Sequence, residues 1–347
     1  MIRRILLSGL GLSPVVITVN AFTDLGDTAL FVLAALALIP LAWLIGEATE
    51  HAAEYTGPGV GGFLNATFGN APELIIALIA LHEGLTDVVR GSLTGSVVGN
   101  LLLVLGFSLF AGGRGPIERW SSFLSFGMIG VAICLFLIPA VPSWSGDPDA
   151  QKIVRLSVPV AIALLIVYVV VTVYSLRRHR IIHVSSDDEI DAWSFKAAIA
   201  ALAVATVATA LVAEILVGSL ETFAAKVGLS DFFVAAVIVA IVGNAAEHGG
   251  AVIVAYRGKI KLAAEIALSS SAQVAVFLIP AVTLLSWFID PLALGFRKVE
   301  IGALAASLGI VAMTIWPGRS SRLRGAILIA AYVGVAIAFY VAGDRAG

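Results

Sequence analysis

Long apolar runs separated by short polar breaks set the reading of this chain. A helix that crosses a bilayer needs ~20 mostly apolar residues. Runs of that kind occupy 29–46, 61–81, 88–110, 123–140, 154–176, 194–217, 231–256, 261–288, 299–316 and 323–341. A weaker run at 5–22 holds Pro14 and Asn20, which leaves open whether it spans or lies at the interface. The pattern predicts an all-α polytopic membrane protein of ten helices, or eleven with the first. The breaks carry turn residues: Gly112-Gly113, the stretch from Pro142 to Pro148, Pro291, and Pro317-Gly318. The connection at 177–193 stands apart, because it opens with Arg177-Arg178-His179-Arg180 and closes with Asp187-Asp188-Glu189-Ile190-Asp191.

Composition agrees with this pattern. Of 347 residues, 60% are hydrophobic and 13% charged, with a mean hydropathy of +1.03. A soluble domain has about 45–50% apolar and about 25% charged residues, so the excess must face lipid. A net charge of −2 gives no electrostatic case for a nucleic-acid partner. The lone Cys134 excludes an intrachain disulfide or a cysteine-based metal site. Met1-Ile2-Arg3-Arg4 opens like a signal peptide, but with no convincing small-residue cleavage site after it a membrane segment is the simpler reading. Nothing resembles a transit peptide, so a prokaryotic cell membrane is the default. With the N-terminus in the cytoplasm, about 14 of the 21 Lys and Arg fall inside and about 7 outside. That places the central linker in the cytoplasm and the C-terminus outside. Oligomeric state is left open.

The chain repeats itself. Gly69-Asn70-Ala71-Pro72-Glu73 returns as Gly243-Asn244-Ala245-Ala246-Glu247, a shift of 174 residues. The same shift carries Ser96 onto Ser270 and the Gly95–Asn100 stretch onto Ser269–Gln273. Each copy holds five spans, and an odd number makes the second copy enter the membrane from the opposite side. Such inverted repeats are an architecture of secondary transporters, with the binding site at the midplane between the copies. The expected division is an extra helix at 1–28, a first repeat at 29–176, a cytoplasmic linker at 177–193 and a second repeat at 194–347.

Glu73 and Glu247 lie deep in apolar runs. A charge at the centre of a lipid-facing helix costs on the order of 2.5–3.5 kcal/mol. Carrying that cost twice, at matched positions, points to use rather than to a neutral hydrogen-bonding glutamate. Asn70 and Asn244 each stand three residues before their glutamate, on the same helix face. Carboxylate and amide oxygens are hard ligands, suited to Ca²⁺, Mg²⁺ or Mn²⁺. Pro72 lacks an N–H, which frees the Phe68 carbonyl as a further candidate ligand in the first copy only. Gly69 and Gly243 allow close helix approach. Ser96 with Asn100, and Ser270 with Gln273, are candidate lateral ligands or partners that orient the glutamates; ordinary polar helix packing explains them equally well. His248 points away from Glu247's face and reads as a packing or hydrogen-bonding residue rather than a ligand.

Two carboxylates in low dielectric resist ionising together, so their protons leave as a coupled pair. A divalent cation supplies the two charges that displace them. Two protons and one Ca²⁺ are then competing, nearly isoelectric occupants, and a site that switches sides only when occupied performs exchange. Ca²⁺ takes 6–8 oxygens, which two glutamates, two asparagines, backbone carbonyls and the Ser/Asn/Gln set can supply.

At these residues the chain resembles the calcium/proton exchanger (CAX) family of the calcium/cation antiporter superfamily. The matching segments are Gly61-Gly62-Phe63-Leu64-Asn65-Ala66-Thr67-Phe68-Gly69-Asn70-Ala71-Pro72-Glu73-Leu74-Ile75 and Val242-Gly243-Asn244-Ala245-Ala246-Glu247-His248. Ser269-Ser270-Ser271-Ala272-Gln273 is similar to the family's Gly-Ser-Ser-x-Gln segment, and Gly95-Ser96-Val97-Val98-Gly99-Asn100-Leu101-Leu102 to its partner. The resemblance implies the inverted five-plus-five fold and Ca²⁺/H⁺ antiport without a cofactor. It implies Glu73 and Glu247 as the shared cation and proton site, with Asn70, Asn244, Ser96, Asn100, Ser270 and Gln273 around it. Two positions depart from the family: Ser269 stands for a glycine, and Ala240 for the proline expected ahead of the second motif.

Glu47, Glu50, His51 and Glu54 share one helical stripe, either a cation funnel or a solvated face. The Asp187–Asp191 cluster lacks an EF-hand pattern and reads first as a solvated linker, with a regulatory Ca²⁺ role as the alternative. A Na⁺-coupled or Mn²⁺-selective exchanger keeps the same fold. A channel is disfavoured by the inverted repeat in a single chain, and no enzyme motif stands out.

Overall fold

The structure is a computed structural model and describes residues 2–179 and 193–345. It is helical; the only β pairing among the described residues is a bridge between Pro116 and Arg319. We number the helices α1 (Arg4–Phe22), α2 (Asp27–Phe68), α3 (Ala71–His82), α4 (Thr86–Gly112), α5 (Arg119–Ser143), α6 (Gln151–His179) and α7 (Phe195–Gly218). They continue with α8 (Leu220–Val227), α9 (Asp231–Gly243), α10 (Ala245–Tyr256), α11 (Ile260–Phe288), α12 (Lys298–Ile315) and α13 (Arg322–Ala342).

Nine of these, counted among the described residues, are long and apolar enough to cross a membrane. α8 and α9 meet at 110°, as a broken span or a re-entrant pair, and counted as one span they bring the number to ten. The first helix is among the nine, and it rests on α2, where Pro40 packs on Gly9. Polar caps mark several starts: Ser194, Ser230 and Ser321 accept backbone N–H bonds at the N-termini of α7, α9 and α13.

The expected span over 61–81 is not one helix. α2 keeps helical backbone to Phe68 but folds back on itself after the acidic stripe: a Cβ on Gly61 would lie 2.9 Å from the Ala53 carbonyl oxygen, where a straight helix would separate residues eight apart by about 12 Å. The chain then restarts at Ala71. Within that stripe His51 turns inward and stacks on Trp193, with ring centroids 5.1 Å apart, while Glu54 stays at the surface. The run expected over 231–256 is likewise two helices, broken at Asn244. α3 and α10 have 12 residues each, or about 18 Å, roughly half of the hydrocarbon thickness.

The repeat is visible element by element. α3 and α10 begin 174 residues apart and are equally long. π-helical turns interrupt α4 at Gly99–Val104 and α11 at Val274–Leu278, again in register. A third π turn, Val234–Val239, lies in α9. Small residues let the helices cross closely: a Cβ on Gly325 of α13 would lie 2.4 Å from the Phe110 nitrogen of α4. The acidic segment Asp187–Asp191 and most of the linker lie outside the described residues.

Candidate functional site

Both glutamates occupy the same local position. Asn70 and Asn244 cap α3 and α10 with nearly equal backbone angles, φ −99°, ψ 14° and φ −90°, ψ 7°. Glu73 and Glu247 therefore fall in the first turn of a half-helix that starts inside the membrane, where unpaired N–H groups and the helix dipole favour an anion. Pro72 sits in the first turn of α3, where its missing N–H costs nothing, and Phe68, whose carbonyl is a candidate ligand, is the last residue of α2. The second helix needs no proline, for it breaks at Asn244 with Ala240 in place.

The two halves interlock at this level. Glu73 packs against Gly243 of the other half, where a Cβ would lie 3.3 Å from Glu73 Cγ. Glu247 faces Gly69, where a Cβ would lie 3.8 Å from Glu247 Oε1. A chain of polar groups runs between them. Ser270 Oγ donates to Glu247 Oε2. Asn100 Nδ2 donates to Ser270 Oγ at 3.0 Å and to Asn244 Oδ1 at 3.1 Å. Asn244 Nδ2 donates to Ser96 Oγ at 2.8 Å and to the Ala240 carbonyl at 3.0 Å. Ser96 in turn lines a small void beside Glu73, with Ser92, Val239 and Gly243. Separately, Asn70 Nδ2 donates to Gln273 Oε1 at 3.4 Å. All eight singled-out residues thus lie in these two adjoining networks or on the void.

The arrangement is rich in oxygen acceptors. Glu73 Oε2 and Asn100 Oδ1 are buried and accept no hydrogen bond from the described residues, and a buried acceptor without a donor is costly. Among the described residues no three of His, Cys, Asp and Glu gather as a metal cluster. Any cation here would be held by the glutamates with neutral oxygens. His248 Nε2 is buried without a hydrogen-bond partner, so a hydrogen-bonding role through that atom is not seen.

The two sides of the site differ. Glu73 is 7% exposed, whereas Glu247 is half-buried. On one side α4 touches α9 so closely that a Cβ on Gly95 would lie 2.0 Å from the Ala236 carbonyl oxygen. On the other, Asn65 of α2 is exposed where its repeat partner Val239 is buried.

Sequence reasoning missed Ser92, one turn before Ser96 on the same face of α4. Its repeat partner is Ile266, so symmetry gave no hint; continuing the Ser96/Asn100 spacing backwards would have found it. It also passed over Arg90, which lies within the expected span 88–110 and is 1% exposed.

The family model for the sodium/calcium exchanger protein matches residues 27–177 and 197–341. This chain belongs to that family. The exchanger is 40% identical to a protein of Bacillus subtilis named Ca²⁺/H⁺ antiporter ChaA, over 91% of this chain and 93% of the relative. It is 36% identical to a Ca²⁺/H⁺ antiporter of Synechocystis, over 91% of each. A solved structure titled native YfkE superposes with a TM-score of 0.84 at 35% identity, covering 98% of this exchanger and all of that chain. The H⁺/Ca²⁺ exchanger CAX, at 13% identity and a TM-score of 0.75, shares the fold.

Proposed function

We propose that this exchanger exports Ca²⁺ from the cytosol in return for protons by alternating access. The observation that carries the reading is the pairing of Glu73 and Glu247, one from each half, each against the other half's glycine and joined through Ser96, Asn244, Asn100 and Ser270. Names of relatives over 91% of the chain support calcium and protons as the exchanged ions.

The charge arithmetic is simple. Doubly ionised, the pair is a dense negative site in low dielectric, relieved by two protons or by one divalent cation. Glu247, on the more exposed side, meets ions first, and Glu73 completes the site from the closed side. Asn100 links Asn244 to Ser270 and so holds the two halves' ligands in one frame. If the N-terminus is cytoplasmic, the α4/α9 contact is the outer face, and this structure is open toward the cytoplasm, where Ca²⁺ loads. In this reading residues 29–176 and 194–347 are the two exchanging repeats, joined by the linker 177–193, and the helix within 1–28 is an addition. The family match over 27–177 and 197–341 supports that division.

The test is Ca²⁺ uptake into sodium-free proteoliposomes under an imposed pH gradient. Wild type should follow the gradient, and Glu73→Gln and Glu247→Gln should each abolish uptake. Uptake that needs Na⁺ in place of the proton gradient would overturn the coupling ion. Normal transport by both variants would overturn the site.

A further inference from the structure

The closed side of the site carries a second set of interactions that takes no part in ion binding. Arg90 of α4 is fully buried. Its Nη1 donates to Asp149 Oδ1 at 2.7 Å and to the Ala293 carbonyl at 3.1 Å. Its Nη2 donates to Asp149 Oδ2 at 3.0 Å, Thr86 Oγ1 at 3.0 Å and Asp87 Oδ1 at 2.9 Å. This ties α4 to the α5–α6 and α11–α12 connections.

The residues after α13 reach the same place. Asp344 Oδ1 accepts from the Phe232 nitrogen at 2.9 Å, at the start of α9. Arg345 Nη2 donates to the Gly295 carbonyl at 2.6 Å, and its Nε lies 4.0 Å from Asp87 of α4. Arg297 donates to the Gly343 carbonyl at 2.8 Å and places its guanidinium 3.5 Å over the Phe232 ring. That ring fills the space over Gly91 of α4, where a Cβ would lie 2.9 Å from Phe232 Cδ2.

Gly343–Arg345 therefore holds both helices of the closed contact: α9 through Asp344, and α4 through Arg345. We infer that this segment is a strap that keeps α9 seated on α4, and that Asp344 and Arg345 are gating residues that must let go before this face opens. Any swing of α9 away from Gly91 and Gly95 separates the Phe232 nitrogen from Asp344 and the Phe232 ring from Arg297. The place of that opening in a transport cycle rests on the exchange reading above; the opening itself is measured without transport.

The experiment uses the purified full chain in detergent. Cys134→Ala removes the native thiol, and Val239→Cys places a single thiol beside the void at Glu73, on the closed side. The rate of labelling by a hydrophilic maleimide is compared with and without Asp344→Ala or Arg345→Gln. Asp344→Ala should speed labelling about ten-fold, which is about 1.4 kcal/mol in the opening equilibrium. Arg345→Gln should speed it several-fold. A control thiol, Leu164→Cys in the core of α6, should stay unreactive in every background. Unchanged Val239→Cys labelling in a variant that elutes as a folded, monodisperse species overturns the strap. So does equal acceleration at Leu164→Cys, which marks general loosening. If Asp344→Ala fails to fold, the Arg345→Gln result alone decides.

Discussion

Gly95→Ala tests whether the α4/α9 contact is a gate or only a packing seam. The added Cβ would lie 2.0 Å from the Ala236 carbonyl oxygen, 2.7 Å from its carbonyl carbon and 2.8 Å from Ala240 Cβ. Two of these are backbone atoms inside a helix, and no side chain can rotate away. The helices must part by about 1 Å or more to restore a normal contact of 3.5 Å or beyond. Overpacking of this kind costs about 1–3 kcal/mol, and Ala regains up to ~1 kcal/mol over Gly as a helix former. That regain is shared by closed and open forms, whereas the clash exists only in the closed one. The ratio of open to closed should therefore shift by about 5- to 150-fold, the equivalent of 1–3 kcal/mol. The assay is the maleimide rate at Val239→Cys in the Cys134→Ala background, with Ca²⁺ uptake measured alongside. Labelling should accelerate, and the apparent affinity for Ca²⁺ loaded from the Glu247 side should weaken as that state is depopulated. A lowered melting temperature with no change in labelling would refute the argument, because the clash would then have been relieved without opening the face.

Three further outcomes follow from the same geometry. Asn100→Ala removes hydrogen bonds to Asn244 and Ser270, each worth about 1 kcal/mol; the protein should fold, but its KM for Ca²⁺ should rise on the order of ten-fold, and an unchanged KM in the uptake assay would remove Asn100 from the site. Arg90→Met breaks a buried ion cluster for which about 3–5 kcal/mol is the fully buried cost; Asp87 and Asp149 keep 31% and 33% exposure, so the loss read from thermal unfolding should be smaller. Burial pushes the Asp149 carboxyl up, yet the hydrogen bonds and charge of Arg90 hold it below the ordinary range; its contribution to stability is present above about pH 3.9 and lost as pH falls through the lowered value, so the melting-temperature gap between wild type and Asp149→Asn should persist at neutral pH and close in strong acid.

The sequence disclosed most of what depends on local chemistry. Runs of apolar residues located the spans, and the paired Gly-Asn-Ala-x-Glu motifs located the glutamates, because each signal lies within a few residues. It misjudged where helices end. The chain does turn back between the expected spans 29–46 and 61–81, where Gly61 comes against the Ala53 carbonyl, but helical backbone continues through the turn to Phe68. Hydropathy also could not see the restarts at Asn70 and Asn244, which interrupt the helices without interrupting their apolar character. The Arg90 cluster was illegible for another reason. Its partners stand 3, 59 and 203 residues away, and only the folded chain brings them together.

The repeat also explains why this structure is lopsided although its chemistry is nearly symmetric. By the repeat, closing the Glu247 side would bring α11 against the end of α2 as α4 meets α9. On the closed side the residue at the crossing is Gly95, with backbone in near contact behind it. On the other side the equivalent residue is Ser269, whose hydroxyl accepts from Gln273 Nε2 at 3.4 Å. A side chain at that crossing forbids the depth of approach that Gly95 permits. A seal on the Glu247 side should therefore be shallower than the one between α4 and α9. Ser269 thus joins Asn65/Val239 and Ser92/Ile266 among the positions where the two halves differ, and all three lie at or beside the site's two faces.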